Sequence, residues 1–399
     1  MTLTGALENI RVLEIGTLLA GPLTGRFLAD FGAEVIKIEP PDREDPMRRW
    51  GQQVDGDGLL WPIQSRNKKC VTLNLREAAG QQVFLDLVRH ADVVLENFRP
   101  GTLEKWGLSY DALAEVNPRV ILLRTSGFGQ TGPYSERAGF GSVGEAMGGI
   151  RYVTGYPDRP PTRVGISIGD SLAALFSTIG CLTALEERHR SGRGQVVDTA
   201  IYEAVFALME GLVPEYDLTG YIRERTGNVL PGVAPANIYA TKDGKYIVMG
   251  ANADTVFRRL AAAMNRPELA EDERFSTHGA RGANMEVLDQ IIEEWTREHE
   301  SEHVLSTLEQ YGVPAGKIYS AKDILEDPHY WARDMILSMQ HEKFGAFKLP
   351  GIVPKLSRTP GEVKWLGPTI MGSHNDEIYG QLLGYSETFL EELKREGIV

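Results

Sequence analysis

The sequence predicts an α/β protein, with a large Rossmann-like doubly wound domain and a smaller α+β domain. Three observations lead to this fold class. Residues 11–39 show a strand, a glycine-rich turn, an amphipathic helix and a second strand. Strands and helices then alternate to about residue 200, which favours a parallel sheet with helices on its faces. The pattern changes after Met209, and 399 residues are enough for two domains.

The first unit resembles a nucleotide-binding βαβ unit but lacks its sequence signature. The glycines at positions 16, 21 and 25 do not form GxGxxG, and Pro22 and Leu23 stand where a P-loop requires Lys and Ser or Thr. A nicotinamide-dependent dehydrogenase would explain the βαβ unit, but the missing fingerprint argues against it. Glu39, at the end of the second strand, is a weak candidate for a ribose ligand because acids are common at strand ends.

The remaining elements follow from hydrophobic periodicity and from turn residues. In chain order we predict strands at 12–15, 35–38, 70–75, 93–96, 120–125 and 245–249, and helices at about 21–31, 77–90, 138–149, 254–264, 284–298, 301–311 and 386–396.

The stretch from Thr162 to Met209 contains two apolar segments with helical period on either side of a Gly-Arg-Gly turn. Apolar residues at positions 172, 175, 176, 179, 182 and 185 predict a helix with one buried face. The helix is expected to stop at Arg190–Gly194, where glycine suits a left-handed C-cap. Asp170 therefore lies at or just before the N-terminus of this helix.

Asp170 is the candidate catalytic residue. Asp is also a common N-cap residue, and that structural role is the simpler alternative. Gly169 leaves room for another molecule to approach the carboxylate, and the positive end of the helix dipole favours its ionised form. An ionised, approachable carboxylate is a possible nucleophile.

Composition excludes several classes of function. The net charge of −13 argues against general binding of nucleic acid, which requires clustered positive charge. Cys70 and Cys181 offer neither a disulfide framework nor the spacing of metal ligands, and we expect no metal site. The N-terminal residues lack the basic and apolar regions of a signal peptide, and no run of 18 apolar residues occurs. We therefore expect a cytoplasmic protein without a membrane partner.

Several motifs in order resemble those of the class III CoA-transferase (CaiB/BaiF) family, which includes formyl-CoA transferases, carnitine CoA-transferases and α-methylacyl-CoA racemase. The resemblance covers nearly the whole chain. The motifs are RVLEIGTLLAGP, FGAEVIKIEPP, NKKCVTLNL, ENFRPGTLEKWGL, LLRTSGFGQTGPY, GDSLAALFSTIGCLTAL, GRGQVVDTAIYEAVFALM and VPAGKIYSAKDILEDPHY.

The resemblance implies a set of functional positions. Asp170 matches the transferase nucleophile, with CoA or acyl-CoA as a substrate and no tightly bound cofactor. The positions that it implies for CoA binding are Leu19, Ala20, Leu73, Asn74, Leu75, Arg76, Asn97, Phe98, Arg99, Lys105 and Phe140.

The chain departs from its relatives at three places. Pro40 stands where a relative has Arg after the strand-end Glu, so Arg43, Arg48 or Arg49 is expected to substitute. Phe140 and Gly141 replace a Tyr-Glu pair, and the loop at 221–236 has only two glycines, so a formyl/oxalate substrate pair is disfavoured. The racemase alternative requires a second proton-transfer group, and a phenyl ring at position 140 cannot transfer a proton.

The resemblance implies a CoA-transferase that moves CoA from an acyl-CoA to a carboxylic acid through a covalent aspartyl intermediate. Backbone N–H groups around Gly169, or in a glycine-bearing loop, are expected to stabilise the oxyanions. A short dicarboxylate acceptor and a succinyl-CoA-type donor are preferred, with Arg151 or Arg163 holding the distal carboxylate. Racemase or isomerase chemistry and a non-catalytic acyl-CoA-binding protein remain as alternatives.

The resemblance also implies an interlocked homodimer and a C-terminal segment that returns to the large domain. On this basis the large CoA-binding domain comprises residues 1–210 and 330–399, and the small α+β domain comprises residues 225–325. Residues 211–224 and 326–350 are expected to be linkers.

Overall fold

A computed structural model describes residues 5–399 of the chain. The strands are β1 Arg11–Glu14, β2 Glu34–Glu39, β3 Gln53–Val54, β4 Asp57–Gly58, β5 Lys68–Thr72, β6 Val93–Glu96, β7 Ile121–Ser126, β8 Val196–Ala200, β9 Ala236–Ala240, β10 Tyr246–Gly250, β11 Ala315–Lys317, β12 Ile336–His341 and β13 Gly345–Pro350.

The α-helices are α1 Ala20–Asp30, α2 Trp61–Gln64, α3 Ala78–Val88, α4 Thr102–Lys105, α5 Tyr110–Val116, α6 Gly141–Met147, α7 Ile150–Val153, α8 Ile168–Ser191, α9 Ile201–Phe206, α10 Leu212–Thr219, α11 Asp254–Ala263, α12 His278–Ala283, α13 Met285–Glu298, α14 Ser301–Gln310, α15 Ala321–Glu326, α16 Pro328–Ala332 and α17 Glu387–Arg395. Short 3₁₀ helices span Pro46–Arg49 and Pro267–Ala270, and a π-helix spans Asp376–Leu382.

The central sheet has six parallel strands in the order β5-β2-β1-β6-β7-β8. The chain builds the sheet outward from β1 to β5 and then returns to the other side of β1 with β6. The direction of building therefore reverses between β1 and β6. Parallel α/β sheets bind ligands at such a switch point, in the crevice beyond the carboxyl ends of the strands.

Each face of this sheet has its own hydrophobic core, because alternate residues of a strand point to opposite faces. Leu13, Ile36 and Val94 contribute to one core, together with side chains of α3, α5 and α17. Val12 and Val35 contribute to the other core, where they pack with side chains of α1 and α8. The mixed α/β class and the parallel sheet thus agree with the fold class predicted from the sequence.

The chain divides into two compact units. The large unit contains the residues through Ile150, Val164–Leu212 and Trp331–Val399, and the small unit contains Arg151–Arg163 and Val213–Tyr330. The small unit has an antiparallel sheet in the order β11-β10-β9, and its core includes side chains from α11, α13 and α14. The segments expected to be linkers contain helix α10 and the β12–β13 hairpin.

The second apolar segment of the 162–209 stretch is not helical throughout, which corrects the sequence prediction. Its first residues form β8, which pairs with β7 at the edge of the sheet, and α9 begins only at Ile201. The β-branched residues Val196, Val197 and Thr199 favour this strand. A short strand followed directly by a helix leaves a mixed periodicity, which hid β8 in the sequence.

Helix α8 forms as expected, but only part of its predicted apolar face is buried within this chain: Leu185 is buried, and Leu172 and Phe176 are partly buried. Its buried side chains are mostly small, whereas Leu175, Ile179 and Leu182 are exposed. Small residues allow α8 to lie close to α1 and the sheet, where Thr125 Oγ1 and Ser177 Oγ are 3.0 Å apart. Of the helices described in residues 5–399, α8 alone has the length and apolar composition to cross a membrane, a test that core helices also pass.

Candidate active site

Asp170 is the third residue of α8, and Ser167 is the N-cap residue. The N-cap role that an Asp could have played here therefore belongs to another residue. The side chain of Asp170 is half-buried and lies against Gly141 at the start of α6. A Cβ atom at position 141 would overlap Oδ2 of Asp170, so only glycine leaves this carboxylate in place.

The N–H group of Gly169 does not fit the role of oxyanion donor that the sequence suggested. It points to Oε1 of Glu145, a buried side chain of α6, at 3.4 Å. The nearby Ser171 N–H donates to the carbonyl of Ser167, within the first turn of α8. Both N–H groups thus have acceptors within the protein, a side chain of α6 for Gly169 and a backbone carbonyl of the same turn for Ser171. Other donors are needed if an oxyanion forms beside Asp170.

A cavity of about 210 Å³ lies at the switch point of the sheet. Its lining residues follow the carboxyl ends of β1, β2, β5 and β6, the edge at which α8 also begins. We call it the switch-point cavity, and its lining is Ile15, Thr17, Ile38, Pro40, Arg43, Leu73, Asn74, Leu75, Arg76, Phe98, Thr102 and Trp106.

The structure brings some of the proposed CoA-binding residues together at this cavity and leaves others outside it. Five of the eleven positions line it, and the other six do not. The five are Leu73, Asn74, Leu75, Arg76 and Phe98, and the six are Leu19, Ala20, Asn97, Arg99, Lys105 and Phe140.

Among the six, Leu19 packs on Met47, Trp61 and Cys70, and Ala20 is buried. Phe140 is the N-cap residue of α6 and is 54% exposed, immediately before the glycine that touches Asp170. Arg99 and Lys105 are exposed on the turn and the short helix after β6. Sequence reasoning missed the two residues of α4 and its C-cap that line the cavity, Thr102 and Trp106.

The turn between β1 and α1 is fixed by side chains from β2, from the loop after β2 and from the turn after β6. Asn97 makes a reciprocal pair of hydrogen bonds with Thr17, accepting from its N–H and donating to its carbonyl, both at 2.8 Å. Lys37 donates to the carbonyl of Gly16, and Asp45 accepts from the N–H of Leu18 at 3.1 Å. The side chain of Asn97 is therefore engaged in shaping the turn.

Beneath this turn lies a group of six buried charged side chains, which we call the Lys37 cluster. It joins β1, β2, β5 and the loop after β2. Its members are Glu14, Lys37, Glu39, Asp45, Arg48 and Lys68.

Each cation of the Lys37 cluster has a carboxylate partner. Lys37 Nζ lies 2.7 Å from Oδ2 of Asp45 and 3.5 Å from Oε1 of Glu14. Lys68 Nζ lies 2.7 Å from Oε2 of Glu14 and donates to the carbonyl of Pro22. Burial alone would lower the pKa of Lys37, but the neighbouring carboxylates outweigh burial and raise it.

Of the three arginines considered as substitutes for the missing basic residue at position 40, only Arg43 lines the switch-point cavity. Arg48 is buried, makes a two-pronged ion pair with Glu39, and stacks on Trp61 with 3.9 Å between guanidinium carbon and ring centroid. Arg49 pairs with Glu44 and Asp57. Glu39 thus has a structural partner, which leaves it no ribose-binding role.

On the other side of the switch point, Arg124 of β7 lies between two carboxylates, and we call these three residues the Arg124 cluster. Its Nε donates to Oε1 of Glu96 at 2.7 Å, and its Nη1 donates to Oε1 of Glu104 at 2.6 Å. Burial raises the pKa of Glu96 to about 7, because Arg124 offsets only part of the desolvation cost.

Two further expectations concern the arginines proposed to bind a distal carboxylate and the possibility of a metal site. Arg151 and Arg163, proposed to hold a distal carboxylate, both belong to the small unit. Within residues 5–399, no group of three or more His, Cys, Asp or Glu side chains is arranged to hold a metal ion.

The chain is similar to known proteins over nearly its whole length. A family model described as CoA-transferase family III matches residues 7–375. The chain is 57% identical over 394 residues to a succinyl-CoA–D-citramalate CoA-transferase of Chloroflexus aurantiacus, covering 98% of each protein. It is 40% identical over 402 residues to the beta subunit of a succinyl-CoA–L-malate CoA-transferase of the same organism, covering 100% of this chain and 99% of that one. A crystal structure of a CaiB/BaiF family protein from Brucella suis superposes with a TM-score of 0.83 at 34% identity, covering 95% of this chain and 100% of the other.

Proposed function

The chain belongs to family III of the CoA-transferases, and from that premise we propose how its site works. A CoA-transferase moves CoA from an acyl-CoA donor to a carboxylic acid acceptor. The family assignment confirms the function predicted from the motifs. Our proposal concerns the covalent step, the binding site, the substrates and the oligomer.

Asp170 is the nucleophile in this proposal. Its carboxylate attacks the thioester carbonyl of the donor and displaces CoA thiolate, which leaves a mixed anhydride between Asp170 and the donor acid. The thiolate then attacks the aspartyl carbonyl and releases the donor carboxylate, so that Asp170 becomes a CoA thioester. The acceptor carboxylate repeats both steps in reverse order. CoA thereby moves to the acceptor, and Asp170 returns to its free carboxylate.

The observation that supports this role is the contact between Asp170 and Gly141. The absence of a side chain at position 141 leaves room for the carboxylate and for the atom that it attacks. Asp170 also lies at the carboxyl edge of the sheet, at which the switch-point cavity opens. The first turn of the long helix α8 holds Asp170 in a fixed position. A fixed position favours attack on the thioester carbonyl of a bound substrate.

The switch-point cavity is the proposed site for the nucleotide part of CoA. Phe98 and Trp106 offer an aromatic surface, and their ring centroids lie 5.2 Å apart in an edge-to-face arrangement. Arg43 and Arg76 line the same cavity and supply positive charge for phosphate groups. Arg43 thus compensates for the Pro at position 40. The proposed reaction needs only the carboxylate of Asp170, a thioester substrate and a site that excludes water from the intermediates. We therefore propose no tightly bound cofactor.

We prefer succinyl-CoA as donor and a short dicarboxylate as acceptor, with D-citramalate as the first to test. The support is the 57% identity to a protein named for these two substrates. Phe140 favours transfer over racemisation, because a phenyl ring cannot return a proton to an α-carbon. Residence in the cytoplasm stays a prediction.

A homodimer is the proposed oligomer, interlocked as in the family's relatives. Its support in this chain is the exposed stripe of Leu175, Ile179 and Leu182 on α8, at which the three residues repeat with helical spacing. Small buried residues on the opposite side of α8 leave these large side chains for a partner. Sedimentation of the native chain tests this, and a monomer at micromolar concentration would contradict it.

The experiment that tests the covalent step is intact-protein and peptide mass spectrometry after incubation with succinyl-CoA and hydroxylamine. Hydroxylamine converts an activated aspartyl group to a hydroxamate, and we expect this modification on the peptide that contains Asp170. Asp170→Ala should abolish both the modification and CoA transfer to D-citramalate. Asp158→Ala is the matched control, because that residue is exposed in the loop before α8.

A hydroxamate on another residue, or full transfer activity in Asp170→Ala, would contradict the assignment of the nucleophile. In parallel, a panel of acyl-CoAs is incubated with the native chain and carboxylic acid acceptors in deuterated water. Exchange of an α-proton without transfer of CoA would favour the racemase alternative.

A further inference from the structure

The Arg124 cluster connects three elements at one corner of the switch-point cavity. Arg124 lies on β7 and is 7% exposed, Glu96 ends β6 and is 1% exposed, and Glu104 lies on α4 with an exposed side chain. One planar guanidinium contacts both carboxylates, through Nε on Glu96 and through Nη1 and Nη2 on Glu104. This two-sided contact uses the fixed fork of Arg, which a Lys ammonium lacks.

Each carboxylate also fixes a segment that lines the cavity. Oε2 of Glu96 accepts a hydrogen bond from the N–H of Phe98 at 2.6 Å, which sets the turn after β6. Glu104 lies in the single helical turn between Thr102 and Trp106, both of which line the cavity. Arg124 thus ties the backbone of Phe98 and the position of Trp106 to the same strand. The rings of these two residues are in edge-to-face contact.

We propose that Arg124 is a positioning residue for acyl-CoA binding: by bridging Glu96 and Glu104 it holds Phe98 and Trp106 as one rigid corner of the switch-point cavity. The inference rests on the proposed function, in which this cavity receives the nucleotide part of CoA. It goes beyond that function because Arg124 does not line the cavity and acts only through the two carboxylates.

Protonation of Glu96 should loosen the same corner. Both of its oxygens already accept hydrogen bonds, Oε1 from Arg124 and Oε2 from Phe98, so a proton on either oxygen breaks one contact. The charged groups that face Glu96 are Arg124 from β7 and Glu104 from α4, and Asp198 of β8 faces Arg124. Burial outweighs the attraction of Arg124 and raises the pKa of Glu96 to about 7, so Glu96 is the group that changes charge near neutral pH. Binding of acyl-CoA is therefore expected to weaken on acidification.

The test compares Arg124→Lys, Arg124→Met, Glu104→Gln and Glu96→Gln with the native full-length chain. Steady-state transfer from succinyl-CoA to D-citramalate gives kcat and KM, and calorimetric titration with CoA gives its affinity directly. We expect the KM for succinyl-CoA to rise about tenfold in Arg124→Met and about threefold in Glu104→Gln, with kcat within about twofold. Arg124→Lys should lie between the native chain and Arg124→Met, because an ammonium keeps the charge but bonds one carboxylate at a time.

The pH profile separates positioning from a merely structural role. In the native chain the KM for succinyl-CoA should rise as the pH falls from 8 to 6, whereas in Glu96→Gln the KM should be high and independent of pH. Glu115→Gln is the matched control, since this exposed carboxylate of α5 lies outside both charged clusters. Glu104→Gln removes only a solvent-exposed partner, so the test stands even if Arg124→Met fails to fold.

The possible outcomes distinguish failure of the proposed role of Arg124 from failure of the proposed CoA-transferase function. A native chain that neither transfers CoA nor binds it would refute the proposed function. A native chain that transfers CoA, together with unchanged KM values in Arg124→Lys and Glu104→Gln and a flat native pH profile, would overturn the role of Arg124 alone. A fall in kcat without a change in KM would also overturn it, because Arg124 would then act on the chemical step.

Discussion

The two charged clusters flank the same switch point of the sheet but differ in their balance of charge. The Lys37 cluster on the side of β2 and β5 contains three cations and three carboxylates, all buried. The Arg124 cluster on the side of β6 and β7 contains one guanidinium and two carboxylates, one of them exposed. The first cluster holds the turn between β1 and α1, and the second holds the turn after β6.

The same two opposing effects, burial and neighbouring charge, shift the pKa values of buried groups in both clusters. In the Lys37 cluster the carboxylates outweigh burial and raise the pKa of Lys37, whereas burial outweighs Glu14 and lowers the pKa of Lys68. In the Arg124 cluster burial dominates, and the pKa of Glu96 rises to about 7. In both clusters burial disfavours the charged form, and the neighbouring opposite charges decide how much of that shift in pKa remains.

The largest effect is expected from Lys68→Met, which breaks the balance of the first cluster. The substitution removes two contacts from the buried carboxylate of Glu14 and, among residues 5–399, leaves it Lys37 as its one ion-pair partner, at 3.5 Å. Loss of one partner of a buried ion pair costs about 3–5 kcal/mol, so the urea midpoint of the large unit should fall steeply. An unchanged midpoint would show that the cluster does not stabilise the fold. Adding Glu14→Leu to this variant should recover part of the loss.

An intermediate effect is expected from Glu96→Gln, measured as stability against pH. The folded-state pKa of Glu96 is raised from 4.5 to about 7, so the folded chain keeps a proton that the unfolded chain has lost. Its contribution to stability is therefore full below about pH 4.5 and is lost as the pH rises to about 7, by on the order of 3 kcal/mol. The difference in unfolding free energy between native chain and Glu96→Gln should change by this amount over that window. If this difference in unfolding free energy stayed constant from pH 4.5 to 8, the raised pKa of Glu96 would be refuted.

The smallest effect is expected from Lys69→Met, one residue along β5. Lys69 pairs with Glu34 at 2.6 Å and Glu377 at 2.7 Å, but all three side chains are partly exposed. Exposed ion pairs contribute less than about 1 kcal/mol, so the urea midpoint should hardly move. Because Lys68 and Lys69 are neighbours on one strand, this variant is also the control for Lys68→Met. Equal losses in both variants would mean that burial does not decide the outcome.

Much of the large unit could be predicted because its strands are short apolar segments between clear turns. The strand at Val93–Glu96 was predicted to the residue, and the three helices predicted in the small unit differ from α11, α13 and α14 by about one residue at an end. The edge strand β8 could not, because its pairing with β7 depends on a partner about 70 residues away in the chain. Periodicity measures only local pattern, and it merged this strand with the helix that follows.

The buried face of α8 illustrates a second limit. Residue size misled the prediction, since the large side chains of Leu175 and Ile179 are exposed while Ala173 and Ala174 are buried, Ala173 against α9. Close contact between a helix and its neighbours requires small residues, and this requirement comes from the distance between elements. That distance is a property of the assembled fold.

The sequence by itself determined the alternating architecture, the family and the position of Asp170 near a helix start, because local periodicity, glycine placement and motif order are written along the chain. Only the tertiary structure decided which cations face the switch-point cavity, which charged residues brace it, and what lies against Asp170. Arg43, Arg48 and Arg49 are indistinguishable in sequence, yet one lines the cavity and two form ion pairs. Gly141 is 29 positions before Asp170, and only folding brings them into contact. Such contacts join residues distant in the chain, so their geometry is set by the packing of strands and helices.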